Sequence, residues 1–570
     1  MNLSLLQKGI AAKTLYTSLF FITGILAACS DSNIAEPEIA STTDTDATES
    51  ADWILTNGKI LTADEGFSIV EAIAIEGGRI LAVGDNDEVM QHAGSNTELT
   101  DLDGQTVVPG LIDNHMHFVR ATKQWHRQVR WDEVRSREQA LQMLKERSDR
   151  LPEDEWAIVV GSFIMEQFDD NQAPFTAAEL DAVIPDRPVY IQEAYTRAFL
   201  NSAAIQEAQI TAESRVNQRG ELIKDDSGNL TGELMGTAMN LAMPHIPVVE
   251  NNTWDASVGL TVDSLLSMGL TTVYDVGGAT VTPAFYESIR RVADADNLNM
   301  RVYYTLNPQN SAAGTPEDII REMQTNQPDN EGLLFARFGY GETVYRPMRA
   351  SPFILSDENR QAFKNILIAA VENGWQINEH TTQDTKARAM LDIIAEVAET
   401  HPEVLDMRFT IDHTNGISED TIERAKGLGM MFATHSSSRN LTPARFESGV
   451  TQPPIRTINE LGGIWGLGSD STTSNSPNPF HTISWVVTGR SASGQQTFSE
   501  TVSREDALVA HTRTNGYILF REDHIGSLEV GKLADFAVLN DDYMTVPDEE
   551  IKHLHSVMTV VGGDLVYSAE

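Results

Sequence analysis

With 570 residues, 41% of them hydrophobic, the chain can bury a large core, enough for one big α/β barrel plus a smaller unit, and a small single-motif module is excluded. Its 83 acidic and 41 basic residues leave a formal charge of −42 and a pI near 4.6, which disfavours nucleic acid and anionic membrane surfaces as partners by plain repulsion. Lysine is scarce, and an acidic, lysine-poor surface is what a saline medium tolerates, because screening removes the self-repulsion that would loosen the fold.

At the N-terminus, Lys8 and Lys13 precede an apolar stretch, Leu15 to Ala28, that is too short for a comfortable membrane span, so residues 1–29 read as a cleaved targeting signal. The ending Leu26-Ala27-Ala28-Cys29 resembles the bacterial lipobox, in which the cysteine becomes the lipidated N-terminus of the mature protein. That resemblance implies a lipid anchor at Cys29 in the bacterial cell envelope, and Ser30 after the cysteine favours the outer membrane, facing the periplasm. Cys29 is the sole cysteine, so the mature chain has no disulfide and no cysteine metal ligand. Residues 30–51 form an acidic Ser/Thr/Asp/Glu stretch without hydrophobic period, expected as a disordered tether.

From residue 52 to 108 short apolar runs, Ile69-Val70, Ala72 to Ile75 and Ile80 to Gly84, are separated by Asn57-Gly58 and Gly77-Gly78 turns, the grammar of a small β-sheet unit. The same grammar returns over 521–570, in Phe536 to Leu539 and Val557 to Val561, so both ends are expected to meet in one β-sandwich. Between them, over 109–520, apolar strand-like runs alternate with helical periodicity, as βα units of a parallel sheet do. The run before His115 is followed by Leu270 to Val276, Met300 to Leu306, Leu333 to Gly339, Trp375 to Glu379, Met407 to Asp412, Met430 to Thr434 and Gly463 to Gly468. Eight units predict a (β/α)8 TIM-type barrel, with its chemistry at the C-terminal strand ends. The interval of about 121–251 is too long for one βα loop and reads as a subdomain inserted over the barrel mouth.

In Val107-Val108-Pro109-Gly110-Leu111-Ile112-Asp113-Asn114-His115-Met116-His117, an apolar run carries the backbone into a His-x-His pair, and residues i and i+2 of a strand share a face, so both imidazoles can reach one cation. His553-Leu554-His555 has the same spacing but lies in a polar stretch and reads as solvated surface. Glu342 follows the fourth predicted strand, His380 ends the fifth, His413 the sixth and Asp470 the eighth. Four His and two carboxylates that converge at one barrel mouth suit one or two divalent cations with N/O ligands. His435, ending the seventh strand, is a candidate hydrogen-bond donor of the substrate pocket, and Trp125, His126 and Arg197 are candidates for the mouth.

On these residues, with Gly466-Leu467-Gly468-Ser469-Asp470, Pro477-Asn478-Pro479 and the tail Ile525-Gly526-Ser527-Leu528-Glu529-Val530-Gly531-Lys532-Leu533-Ala534-Asp535, the chain resembles the amidohydrolase superfamily, more narrowly its YtcJ-like branch with N-substituted formamide deformylases. The resemblance implies His115 and His117 on the more buried metal, His380 and His413 on the more exposed one, and Asp470 as the group that takes a proton from the attacking water and delivers it to the leaving nitrogen. Many relatives bridge two metals with a carboxylated lysine after the fourth strand, but no lysine lies between Lys224 and Lys364. Gly339-Tyr340-Gly341-Glu342 stands at that place, with Glu342 as the bridge or as a polar residue of the mouth beside a mononuclear site. The branch pattern is broken at Tyr195-Thr196-Arg197-Ala198-Phe199-Leu200-Asn201-Ser202 and at Gly232-Glu233-Leu234-Met235-Gly236, both in the insertion, so the substrate is not copied from relatives. The expected activity is metal-dependent hydrolysis, zinc foremost, of a non-peptide carbon–nitrogen bond in a small molecule. The alternatives are ligand or metal binding without turnover, which the presence of Asp470 argues against, and metal-assisted isomerisation or decarboxylation.

Overall fold

The computed structural model describes residues 50–278, 281–308, 314–349, 353–435 and 451–569. The expected signal segment 1–29 with Cys29, and the tether up to residue 49, lie outside the described residues.

Eight parallel strands build the barrel: β1 (Leu111–Met116), β2 (Leu270–Asp275), β3 (Arg301–Leu306), β4 (Phe335–Tyr340), β5 (Gln376–Thr381), β6 (Thr410–His413), β7 (Met431–His435) and β8 (Trp465–Gly468). Their order in the sheet is their order in the chain. Every residue of β1, β2 and β3 is buried, which is why the sequence shows continuous apolar runs there instead of alternation. The helix Asp357–Glu372, between β4 and β5, starts where the Ser356 side chain accepts from the Asn359 N–H, with Asp357 and Glu358 in the positively polarised first turn. Its Phe363, Ile366, Leu367 and Ala370 face the core, at the spacing of one helix face.

The barrel closes where β8 runs past β1. The Asp470 N–H donates to the His115 carbonyl at 2.8 Å and the His117 N–H to the Ser471 carbonyl at 2.9 Å. Asp113 adds a side-chain tie, accepting from the Ser469 N–H at 3.1 Å and the Ser469 hydroxyl at 2.5 Å. Gly468 is needed at this crossing, since a Cβ there would lie 2.6 Å from Asn114 Oδ1 and 2.8 Å from the His115 nitrogen.

Both chain ends share one sandwich. One sheet orders Arg79–Gly84, Ala72–Glu76, Ala51–Thr56 and Ala93–Asp101, and the other orders Asp564–Ser568, Ser556–Val561, Phe536–Leu539, Thr106–Pro109, Lys59–Leu61 and Ile69–Val70. Thr106–Pro109 therefore lies between a strand of the first quarter and one of the last, with Ala537 opposite Val108. Leu55, Ile73, Ile80, Val107, Phe536 and Val560 fill the space between the sheets. Ala51, expected as the last residue of the tether, instead begins a strand, because it pairs with Ala93 and is buried.

Between β1 and the helix Asn251–Leu266, a five-stranded sheet orders Gly220–Lys224, Leu230–Gly236, Arg197–Leu200, Val189–Glu193 and Ala157–Val160. Apolar clusters cover both of its faces: Val159, Val189 and Ile191 pack with Trp131, Phe168 and Phe175, whereas Ile158 and Tyr190 pack with Trp156 and Leu234. The sheet sits directly on the segment after β8, where the single Ser162 O–H is shared between the Thr472 and Asn475 carbonyls, 2.7 and 2.6 Å away. A Cβ on Gly161 would fall 2.0 Å from the Thr473 carbonyl oxygen, so only glycine permits that approach.

Candidate metal centre

Strand pleating sends His115 to the interior of β1, and His117, just past its end, follows on the same side. Glu342 lies two residues beyond β4, His380 is in β5, His413 ends β6 and Asp470 lies two residues beyond β8. All six meet at the C-terminal end of the barrel. Glu342 is their centre: its Oε2 is 2.8 Å from His380 Nδ1, 3.3 Å from His413 Nε2 and 3.8 Å from His115 Nε2, while its Oε1 is 4.0 Å from His117 Nε2. The potential ligand atoms of His115, His117 and Glu342 lie within 4.8 Å of one another, and so do those of Glu342, His380 and His413. Asp470 Oδ1 approaches His117 Nε2 at 3.2 Å and His115 Nε2 at 4.0 Å.

The two His pairs differ in depth, with side chains 0% and 5% exposed for His115 and His117 against 17% and 14% for His380 and His413. His115 is the deepest, and Nε2 of this ring is buried with no hydrogen-bond partner among the described residues, as a nitrogen awaiting a cation would be. The His117 ring is oriented by a 3.0 Å contact from Nδ1 to the Gly277 carbonyl, so Nδ1 carries the proton and Nε2 presents its lone pair to the centre. The donor set of four imidazoles and a shared carboxylate fits a divalent ion of zinc type.

Charge balance at the centre follows from burial and neighbours. Burial pushes the Glu342 carboxyl up, but His380 and His413 outweigh it and hold the group well below the usual carboxylate range. Asp470 behaves alike: burial pushes its carboxyl up, but the neighbouring His117, His413 and His115 outweigh it and hold the group down to about 2, ionised at neutral pH. Burial and the neighbouring His413 hold His380 down to about 4, so its ring is neutral and able to ligate. Asp470 at φ 52° and His413 at φ 71° occupy the left-handed region, strain of the kind found where side-chain aim matters more than backbone comfort.

A polar chain inside the barrel aims the deepest ring. Tyr274 Oη lies 3.0 Å from Asn378 Oδ1, the Asn378 amide donates to Thr410 Oγ1 at 2.6 Å, and the Thr410 hydroxyl donates to Asp412 Oδ1 at 2.8 Å. The other oxygen of Asp412 faces His115 Nδ1 at 3.4 Å, a carboxylate behind an imidazole as metal-holding histidines usually have. Burial lowers the His115 pKa, but Asp412, Glu342 and Asp470 together raise it to about 9.

A cavity of about 330 Å³ opens on the centre, lined by His117, Arg120, Tyr195, Arg349, Asp470 and Ser474, among others. His435 does not line it. This ring packs on His115, their centroids 3.7 Å apart, and Nε2 receives the His413 N–H at 3.1 Å, so His435 props the two histidines from outside the cavity lining; a ligand atom of this ring also lies within 4.8 Å of those of His115 and His413. Arg197 is also drawn elsewhere, into ion pairs with Glu193 at 2.5 Å and Glu233 at 3.1 Å inside the inserted sheet. Neither Trp125 nor His126 borders this cavity: His126 faces Glu155 at 3.9 Å, and the Trp125 ring stacks under the Arg130 guanidinium. Sequence reasoning missed Arg120, Arg349 and Ser474 as lining residues. Arg120 had a usable signal, one turn after His117 on the helix Phe118–Gln124.

A model of the amidohydrolase family matches residues 98–567. The putative amidohydrolase YtcJ of Bacillus subtilis is 24% identical over 542 residues, 90% of this chain and 98% of its own. The N-substituted formamide deformylase of Arthrobacter pascens is 25% identical over 551 residues, 91% of this chain and 99% of its own. An uncharacterized metal-dependent hydrolase from Pyrococcus furiosus shares the fold, with a TM-score of 0.60 at 20% identity over 86% of this chain and 100% of that one. With the family match running from the sandwich through the whole barrel and back, the chain belongs to the amidohydrolase family.

Proposed function

We propose that the protein hydrolyses a carbon–nitrogen bond other than a peptide bond, in an amide, N-formyl or cyclic amide group of a small molecule. The observation that carries this reading is the shared carboxylate: Glu342 belongs to two of the three potential ligand groups and links the His115–His117 pair to the His380–His413 pair, with the ionised Asp470 beside them. His115, His117 and Glu342 would hold one divalent ion, and Glu342, His380 and His413 could hold a second, with zinc favoured by the nitrogen-rich donor set. Such ions bring a water towards pKa 7 and polarise a carbonyl.

The chain's own residues then do the proton work. Asp470, ionised before the reaction, accepts the proton of the attacking water and returns it to the departing nitrogen, which leaves as a neutral amine. Asp113 and the seam hydrogen bonds hold the segment 469–471 against β1, so Asp470 keeps its position relative to His115 and His117 as it changes charge. The inserted sheet packs on Thr472 and Thr473, and the insertion contributes Tyr195 to the cavity wall. The similarity to a formamide deformylase supports acyl–nitrogen cleavage as the chemistry to try first.

The test is metal analysis of the purified protein with a screen of N-formyl, N-acyl and cyclic amides. Turnover that a chelator abolishes and zinc restores is expected. A metal-loaded protein inert towards all three classes overturns the reading. The Leu26-Ala27-Ala28-Cys29 stretch supports a further part of it, a mature protein anchored by lipid at Cys29 to the outer membrane and facing the periplasm. Cys29→Ala then abolishes lipid labelling, and labelling that persists in this variant refutes the anchor.

A further inference from the structure

Arg120 stands where two cavities meet. On one side is the metal-centre cavity, and on the other a cavity of about 360 Å³ walled by Ile158, Val160, Ile246, Val248 and Phe285. Arg120 and Tyr195 line both. Among the described residues, Nε and Nη2 of Arg120 are buried without a hydrogen-bond partner. A guanidinium withdrawn from water with unmet donors is costly to keep, and its planar fork matches a carboxylate. Tyr195 is the first partner of the guanidinium and meets it by a side-chain hydrogen bond, whereas the acidic groups that act on it from within the site, Glu342 and Asp470, already face His380 at 2.8 Å and His117 at 3.2 Å. Arg349 adds a second cation to the same cavity, in a chain whose formal charge is −42.

We propose that the substrate is an N-acyl α-amino acid with an apolar side chain, held with its amide at the metal centre, its carboxylate on Arg120 and its side chain in the cavity beyond. This rests on the hydrolytic reading above and names the substrate class for it. One tetrahedral carbon carries an acylated nitrogen, a carboxylate and a side chain, and those three substituents match the three environments that converge here: metal centre, guanidinium and apolar cavity. The reaction balances without a co-reactant other than water. Water adds to the acyl carbon, the carbon–nitrogen bond breaks, the acyl group leaves as a carboxylic acid, and the proton passes through Asp470 to the nitrogen of the free amino acid.

The test compares racemic N-formyl-leucine with N-(3-methylbutyl)formamide, the same molecule without its carboxylate, on the zinc-loaded full-length protein. A preference in kcat/KM on the order of 10²-fold for the carboxylated compound is expected, the usual scale for a desolvated charge pair. In Arg120→Gln that preference shrinks at least about tenfold, and Arg120→Lys restores part of it. N-formylglycine, lacking the side chain, falls below N-formyl-leucine by about tenfold or more. Calorimetric binding to Asp470→Asn is measured beside turnover and follows the same order. Equal turnover and equal binding of the two formamides in the wild-type protein overturns this inference and leaves the hydrolytic reading standing. Arg120-dependent binding of N-formyl-leucine without turnover of any amide does the reverse, and neither binding nor turnover overturns both.

Discussion

At the end of β1, His115 and His117 are buried and the residue between them, Met116, packs into the core; near the C-terminus, His553 and His555 are exposed and Leu554 between them is buried. Both pairs place two rings on one side of the chain. In the barrel each side of the strand is inside the protein, so the imidazoles lose water and their free nitrogens face other side chains at the mouth. At the C-terminus, the stretch that leaves the 3-10 turn Asp548–His553 has one side inside, and leucine takes it. Spacing decides which residues share a face, and depth decides whether that face can do chemistry.

The strongest way to break this contrast is to delete a ring from each pair. His117→Ala is expected to lose bound metal and activity together, whereas His553→Ala and His555→Ala keep both, with metal per chain and turnover measured side by side. Asp470→Asn preserves size and removes the base, so turnover falls by about 10²-fold or more while metal content stays nearly unchanged; an equal loss of metal would make Asp470 a ligand. Asp412→Asn sharpens the role of depth, because it changes only what stands behind the buried ring, and metal affinity is expected to weaken by about 10- to 100-fold in a chelator competition. At the other pair the energy sits in the leucine: Leu554→Ala costs about 2–5 kcal/mol of stability in urea unfolding, and His555→Ala stays within about 0.5 kcal/mol.

His511 offers the smallest and subtlest test, a histidine that is buried without belonging to either pair. Its Nδ1 lies 3.2 Å from the Ile112 carbonyl, and burial holds its pKa down to about 4 against an ordinary 6.5. The unfolded chain therefore binds the proton first, so the contribution of His511 is complete above about 6.5 and is lost as pH falls through about 4. Urea midpoints at pH 7.5 and pH 5 are expected to differ less in His511→Gln than in the wild type. Identical differences would show that this ring does not drive the acid sensitivity.

The barrel was legible because parallel strands buried on both faces write themselves as apolar runs, and polar residues at their ends write themselves as interruptions. The apolar run Met407 to Asp412 predicts a longer strand than the one that forms, since Arg408 takes φ 50° and the strand begins only at Thr410. The residues that line the cavity were harder to find, because Tyr195 comes from the insertion and Arg349 from a turn after β4, and no local period records such long-range approach. Tyr195 does fall where the family pattern breaks, so the departure itself was the usable clue. The role of Asp412 was hidden beside the more conspicuous His413, although Thr410 and Asp412, two apart in a strand, already share a face. His435 was misplaced for a plain reason: a strand end indicates nearness to the mouth, and cannot tell a residue at the surface of the cavity from one a layer below it.

The place of Thr106–Pro109 in its sheet also orders events during synthesis. A ribosome delivers His115, His117, Glu342, His380, His413 and Asp470 before it delivers Phe536–Leu539, the strand that lies beside Thr106–Pro109. Until then the strand leading into β1 has one partner, Lys59–Leu61, and an open edge. The nascent chain thus holds every group of the metal centre while the support of its first barrel strand is unfinished, and Phe536–Leu539, made after all of them, is the strand that covers that edge.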